Sequence, residues 1–381
     1  MKIGINLLFM NHTSNHGVNR HTEALLQGFR KIDRLKDCCL FVRELYYEKA
    51  KEQFAEATIV CIKAKGIIHW VLNHVHSYHN YYECRYLNHT PLALAAKQQN
   101  IDLMLHPFND STIRFVEGIP NIMVIHDLYY LRYPQYYGYF LYFYAKRKHE
   151  YFIKKADSII TVSEFVKEDI LKNLALANDI FIQVIPNAVI PAQLFTEFIP
   201  IDPPYILAVA PHTYEKNLIT LLKAFYLVRK RIPHELVILG KHEEETNNLH
   251  EYIKANGLTE RVLFLEGVPD EHRNSLYKHA SLLVVPSLTE NFGRVPIEGA
   301  LLQIPVLTSS ASALMEVTHG LLNYYHPPTD SYALALKIST LLCHPPEKEQ
   351  LEAIALLYSQ LYDESAIARR FESIIEGIPN I

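Results

Sequence analysis

Short apolar runs alternate with helical patterns along almost the whole of a chain of 381 residues, which predicts an α/β protein of two doubly wound domains facing a central cleft. The length exceeds what a single hydrophobic core commonly serves, so two domains are expected. A proline-rich stretch without periodicity, from Pro186 to Pro204 with Pro191, Pro200 and Pro203 inside it, separates two such series and reads as the linker. The expected division is a first domain 1–190, a linker 191–204, a second domain 205–364 and a tail 365–381.

Taken in order, the strand candidates of the first half are Ile3–Phe9, Cys39–Val42, Ile59–Ile62, Leu103–His106, Ile122–Ile125, Ser158–Val162 and a short Phe181–Ile185. Those of the second half are Tyr205–Val209, Glu235–Leu239, Val262–Leu265, Leu282–Val285 and Pro305–Thr308. Such continuous apolar runs suit parallel strands covered on both faces. From Ala366 to Glu376 the pattern is an amphipathic helix that closes the chain and could pack back on the first domain.

Composition bounds the function. Hydrophobic residues make up 49%, enough for sizeable cores, and no uninterrupted apolar run suggests a membrane span. The opening Met1–Met10 has a single lysine and no small-residue cleavage site after it, so it reads as a strand rather than a signal peptide. Five cysteines without zinc-type spacing imply reduced thiols and a cytoplasmic setting. A net charge of −4 gives no reason to invoke nucleic acid.

The chemistry concentrates in Pro286-Ser287-Leu288-Thr289-Glu290-Asn291-Phe292-Gly293-Arg294-Val295-Pro296-Ile297-Glu298. Two carboxylates lie eight positions apart on either side of a glycine-containing turn. Pro296 fits the first turn of a helix, which would put Glu290 at the carboxyl end of a strand and Glu298 in the first helical turn. Helix-start N–H groups between them favour an anion. One carboxylate for sugar hydroxyls, one for a ribose and an N–H cradle for phosphates describe a nucleotide-sugar site. Lys216, after Tyr205–Val209, is a point cation suited to a departing diphosphate. His126 and Asp127, after Ile122–Ile125, offer an imidazole for a sugar hydroxyl and a carboxylate to fix the loop or receive an acceptor proton. Gly17, in the loop before a helix starting near His21, would let backbone approach a phosphate. All of these fall at strand carboxyl ends, where doubly wound folds bind ligands.

Several readings are excluded or left open. Neither G-x-G-x-x-G nor G-x-x-x-x-G-K-[ST] occurs, which argues against a dinucleotide oxidoreductase or an NTPase, and no Asp-x-Asp pair is present to hold a divalent ion. The histidines at His69, His74, His76, His79 and His89, with Cys84, match no fixed metal-ligand spacing. The segment Tyr136–Lys148 is aromatic and then basic. It reads either as a helix lying on an anionic membrane surface or as a core helix with a solvated basic end, the second being the simpler.

At these residues the chain resembles retaining glycosyltransferases of family 4, which have the GT-B fold of two Rossmann-like domains. The resemblance is most specific from Val284 to Val306, which is similar to the family pattern P-S-x-x-E-G-F-G-x-P-x-x-E-A-x-A-x-G-x-P-V. Val124-Ile125-His126-Asp127-Leu128, Thr161-Val162-Ser163-Glu164-Phe165, Val184-Ile185-Pro186-Asn187-Ala188 and Glu215-Lys216-Asn217-Leu218 support it. The stretch from His126 to Pro134 most resembles enzymes that use GDP-mannose on polysaccharide or lipid-linked acceptors. The resemblance implies that Glu298 binds the donor ribose, Glu290 the transferred sugar, Lys216 the diphosphate, and His126 the sugar near its reactive carbon. Amides of Phe292, Gly293 and Gly17 would complete the cradle, with no metal and no cofactor beyond the nucleotide sugar. Expected partners are the donor, a glycan or lipid-linked acceptor and the inner face of the cytoplasmic membrane. Acceptor contacts would come from the loops Asn11–Asn19, Trp70–His89 and Tyr129–Tyr139.

The chain departs from the family at four places. Glu215 and Pro211 stand where an arginine is usual near the lysine, which leaves Arg294 as the candidate second phosphate cation. Asn291 and Ile304 replace glycines. A UDP-linked donor, or a weakened binding module of the same fold, are the alternatives these departures leave.

Overall fold

The computed structural model describes residues 1–10, 17–64, 79–109, 112–136, 138–174, 181–189, 201 and 204–378. Most of the proline-rich stretch and the histidines at 69, 74 and 76 lie outside these residues. The chain divides into a first unit, Met1–Ala188 with Glu364–Ile381, and a second, Val189–Asp363.

In the first unit a parallel seven-stranded sheet comprises β1 (Ile3–Asn6), β2 (Cys38–Val42), β3 (Thr58–Cys61), β4 (Leu103–His106), β5 (Asn121–Ile125), β6 (Ser158–Thr161) and β7 (Ile182–Val184), in the order β3-β2-β1-β4-β5-β6-β7. Around it lie α1 (Gly17–Lys31), α2 (Glu44–Gln53), α3 (His79–Leu87), α4 (Thr90–Gln98), α5 (Tyr129–Arg132), α6 (Gly138–Lys155), α7 (Glu164–Asn173) and the chain's last helix, α15 (Glu364–Gly377). The inner strands β1, β2, β4, β5 and β6 are buried along their whole length, as continuous apolar runs require. β1 is shorter than the apolar run Ile3–Phe9 predicts. The Leu8 N–H donates to the Asn6 side-chain oxygen at 3.2 Å, a local turn that competes with continued pairing.

The returning helix α15 packs on α1 where Gly28 permits close approach. A Cβ on Gly28 would stand 2.2 Å from the Glu364 carbonyl oxygen and 2.9 Å from Ala368 Cβ. Beside that contact Lys31 pairs with Glu364, and Arg34 Nε lies 2.9 Å from Glu372.

The helix α6 reverses the simpler expectation of a core helix with a solvated basic end. Its carboxyl half is the covered one, with Lys148, His149, Phe152 and Ile153 buried, while Tyr139, Phe140, Leu141 and Phe143 near its start are exposed. Lys148 is accommodated inside by donating to the Ile113 carbonyl at 3.2 Å and by lying over the Tyr151 and Phe152 rings.

In the second unit a parallel six-stranded sheet runs β10-β9-β8-β11-β12-β13, with β8 (Tyr205–Val209), β9 (Glu235–Leu239), β10 (Val262–Leu265), β11 (Leu282–Val285), β12 (Val306–Ser309) and β13 (Asn323–Tyr325). Its helices are α8 (Leu218–Val228), α9 (Thr246–Ala255), α10 (Asp270–His279), α11 (Arg294–Leu301), α12 (Leu314–Val317), α13 (Ser331–Cys343) and α14 (Lys348–Leu361). Of the strands among the described residues, only β13 is absent from the sequence expectations. Both sheets are doubly wound. Strand order reverses between β1 and β4 in one and between β8 and β11 in the other. The crevice outside the carboxyl ends of such a pair is where these sheets take ligands.

Candidate functional site: the carboxyl ends of the two sheets

In the second unit the reversal point carries both Lys216 and Glu290. After β8 the chain makes a short 3-10 turn, Tyr214–Lys216, and Asn217 takes a left-handed conformation (φ 54°) before α8 begins. Asn217 is tolerated there because its side chain is used locally. Its amide donates to the Pro286 and Pro328 carbonyls at 2.9 and 2.8 Å, and its oxygen accepts from Thr220 at 2.7 Å. The β8 turn is thus tied to the loop after β11, and Leu288 N–H adds a bond to the Glu215 carbonyl at 2.8 Å. Across that seam Lys216 Nζ lies 2.8 Å from Glu290 Oε1. Burial draws the Lys216 pKa down, but the Glu290 carboxylate, by its charge and its hydrogen bond, and Glu215 outweigh it, so the ammonium is held above its ordinary range.

Glu290 is fixed from several sides. Its Oε1 also accepts from Ser287 Oγ at 2.8 Å, its own N–H donates to Ser312 Oγ at 2.6 Å, and its carbonyl accepts from Ala313 N–H at 3.3 Å. Glu215, which stands where the family resemblance would place an arginine, accepts from Thr213 Oγ at 2.6 Å.

Gly293 then takes a left-handed conformation (φ 81°) and caps α11. A Cβ there would be 2.8 Å from Leu314 Cδ2, so both conformation and space call for glycine. Because the helix begins at Arg294, Pro296 is its third residue and Glu298 its fifth. Glu298 therefore sits two residues deeper than expected, past the first turn, since the left-handed cap starts the helix two residues before the proline. There it accepts from Tyr277 OH at 3.1 Å and lies 3.6 Å from Arg294 Nε. Arg294 adds a cation to a helix start that is itself electropositive. Phe292 is buried and meets the Tyr362 ring edge-on at 5.7 Å.

In the first unit His126 follows β5 and is almost wholly buried. Its Nε2 is 2.9 Å from the Pro107 carbonyl, an oxygen that can only accept, so Nε2 carries the proton and Nδ1 the lone pair. Burial lowers its pKa against the opposing influence of Pro107 and Asp127, which keeps the ring neutral. The His21 ring of α1 packs against it at 4.7 Å. Asp127 is half-buried and accepts from Tyr129 N–H at 3.3 Å, which fixes the start of α5. Gly17 is the first residue of α1 rather than a loop residue, because Val18, Asn19 and Arg20 contain no helix breaker. A Cβ on Gly17 would meet nothing within 4 Å.

Sequence reasoning missed Asn109. Its side-chain oxygen accepts from His126 N–H at 3.2 Å, and its amide donates to the Asp127 carbonyl at 3.2 Å and to His149 Nε2 at 2.9 Å. It holds the His126–Asp127 loop to β4 and α6, yet no local spacing announces an asparagine separated from its partners by 17 and 40 residues. Of the expected histidine cluster, Cys84 donates to the Leu8 carbonyl and His89 Nδ1 lies 3.1 Å from Thr90 Oγ1. No group of three or more metal-ligating side chains occurs among the described residues.

Comparison with known proteins places this geometry in a family. Residues 15–193 match the Glycosyltransferase Family 4 model and residues 190–356 the Glycosyl transferases group 1 model. The O-antigen chain mannosyltransferase RfbU of Salmonella typhimurium is 28% identical over 56% of this chain and 59% of its own. An uncharacterized glycosyltransferase of Methanocaldococcus jannaschii is 30% identical over 42% of this chain and 44% of its own. The chain thus spans about half the length of the curated relatives it matches. Among solved structures, sucrose-phosphate synthase from Thermosynechococcus elongatus superposes with a TM-score of 0.75 at 17% identity, covering 99% of this chain and 98% of that one. Anabaena HepE in complex with UDP follows at 0.71 and 17%, covering 99% of this chain and all of that one. These likenesses show the two-domain GT-B fold, and with the two sequence models together spanning 15–356 the chain belongs to the family-4 glycosyltransferases.

Proposed function

We propose that this glycosyltransferase moves mannose from GDP-mannose to a glycan or lipid-linked acceptor, with retention of anomeric configuration and without a metal. The observation that carries the reading is the pairing, at the strand reversal of the second sheet, of Lys216 with Glu290 and of Arg294 with Glu298. A nucleoside diphosphate sugar presents anionic oxygens to the two cations and hydroxyls to the two carboxylates. Binding would exchange partners: Lys216 and Arg294 turn to the phosphates, Glu290 to the hydroxyls of the transferred sugar and Glu298 to those of the ribose. The amides of Phe292, Gly293 and Gly17 add to the cradle. His126, neutral and protonated on Nε2, offers its remaining nitrogen only as an acceptor for a sugar hydroxyl, and Asp127 holds the adjoining loop.

In this reading the bond from the anomeric carbon to the β-phosphate oxygen breaks while the acceptor hydroxyl adds to the same face. Its proton passes to the departing phosphate, whose growing charge Lys216 and the α11 start stabilise. The two cations take the place of a divalent ion. An odd number of cysteines without zinc-type spacing supports assigning it a reducing, cytoplasmic setting.

Release of nucleoside diphosphate from GDP-mannose and from UDP-glucose, each with EDTA, tests the reading. Turnover of GDP-mannose alone is expected. Turnover of the uridine donor alone would replace the donor, and activity that EDTA abolishes and Mg²⁺ or Mn²⁺ restores would overturn the metal-free mechanism.

A further inference from the structure

Among the described residues of the second unit, Asn217, Gln303, Ser312 and His319 take the left-handed conformation without being glycine. Gln303 and His319 lie two residues past the ends of α11 and α12, where helices commonly stop in this way. Asn217 uses its side chain to tie the β8 turn to the Glu290 loop. Ser312, at φ 52°, ends no helix and stands two residues before α12. A serine near a helix start often caps it, but the cap of α12 is Ala313, which makes no side-chain bond. The Ser312 hydroxyl oxygen instead accepts from Glu290 N–H at 2.6 Å, and Ala313 N–H donates to the Glu290 carbonyl at 3.3 Å. Strain that serves no local structure points to a use elsewhere.

Ser312 is also the last of a row of hydroxyls that follow one another at the end of β12. Thr308 Oγ1 donates to the Val285 carbonyl at 3.3 Å and Ser309 Oγ to the Ser287 carbonyl at 2.5 Å, both side chains being buried. Ser287 in turn donates to Glu290 Oε1 at 2.8 Å. Because β11 and β12 are parallel neighbours, the chain leaving β12 clasps the chain leaving β11 from Val285 to Glu290. We infer that Ser312 is a positioning residue for Glu290, fixing its peptide so that the carboxylate meets the transferred sugar, and that the left-handed serine is kept for this. The inference rests on the proposed role of Glu290. The Glu290 loop cannot swing away without breaking the Ser312 and Ala313 bonds together.

Thermal midpoints of the full chain, and its turnover of whichever of GDP-mannose and UDP-glucose the native chain uses, give the test. The variants are Ser312→Ala, Ser312→Gly and Glu290→Gln. Alanine keeps the strain and glycine relieves it, so the glycine variant should melt above the alanine variant. Both lack the hydroxyl, so kcat should fall about tenfold in each with the donor KM little changed, because the bonds at stake strengthen in the transition state. Added to Glu290→Gln, Ser312→Gly should lower turnover no further, since its effect passes through the carboxylate already lost. Native kcat in Ser312→Gly beside an impaired Glu290→Gln would overturn the inference and leave the proposed function standing. So would turnover that follows the melting order, or an equal loss from Ser312→Gly in both backgrounds. Native kcat in Glu290→Gln, or a native chain that turns over neither donor, would overturn the proposed function and the inference with it.

Discussion

Lys216 Nζ and Ser287 Oγ both direct protons at one oxygen of Glu290, so this carboxylate is positioned by its neighbours before any sugar hydroxyl competes for it. Glu290→Gln keeps the shape but removes the charge that would strengthen bonds from the sugar in the transition state. Turnover should fall by about a hundredfold or more, while nucleoside diphosphate binding holds or tightens because Lys216 loses its competitor. Initial rates set against calorimetric affinities check this, and unchanged kinetics would remove Glu290 from its role. At this scale the sequence is legible where partners share one loop or follow recognisable strands, as Glu290, Glu298 and Lys216 do. It is silent about Asn109, because the topology alone brings that side chain to the His126 loop.

Among elements, the inner parallel strands are readable because burial on both faces demands uninterrupted apolar runs. The edge strand β13 escapes for the converse reason: Asn323-Tyr324-Tyr325 is three residues long and mixed in polarity. Even so, Tyr325 OH reaches the Pro286 and Pro328 carbonyls at 3.3 and 3.1 Å, helping to seat the Glu290 loop. The orientation of α6 is hidden because an amphipathic pattern records what a helix is made of and not which of its ends neighbours cover. Packing of α15 on α1 makes a sharper demand. Gly28→Ala would press a methyl group into the Glu364 backbone and should cost about 1–3 kcal/mol, readable as a lower denaturation midpoint. A midpoint equal to that of the native chain would show that the two helices separate without cost.

For the whole molecule, acid should be destabilising. Burial holds His106 and His212 down to about 4, and His126 and His149 are also lowered, each chiefly by burial. An unfolded histidine takes up its proton near pH 6.5. Between that value and about 4 the unfolded chain therefore binds more protons than the folded one. Stability must then fall as pH falls, by about 1 kcal/mol per pH unit for each such histidine inside the window. Thermal midpoints measured from pH 7 to pH 5 should decline, and a flat or rising series would contradict the buried neutral rings. The return of the chain end to the first unit is likewise a property of the whole. The sequence reveals the amphipathic helix, but only the assembled sheet reveals the α1 surface that receives it.

The loop between β11 and α11, with Lys216, is the proposed seat of a nucleoside diphosphate sugar. Calorimetric titration of GDP, UDP, GDP-mannose and UDP-glucose with EDTA present, into the native chain and into Lys216→Ala, tests it most directly. Micromolar binding of the guanosine pair to the native chain is expected, with a loss of about 1.5–3 kcal/mol in the variant, the value of a charge-assisted bond. Binding of none of the four, or equal affinities in both proteins, would contradict it.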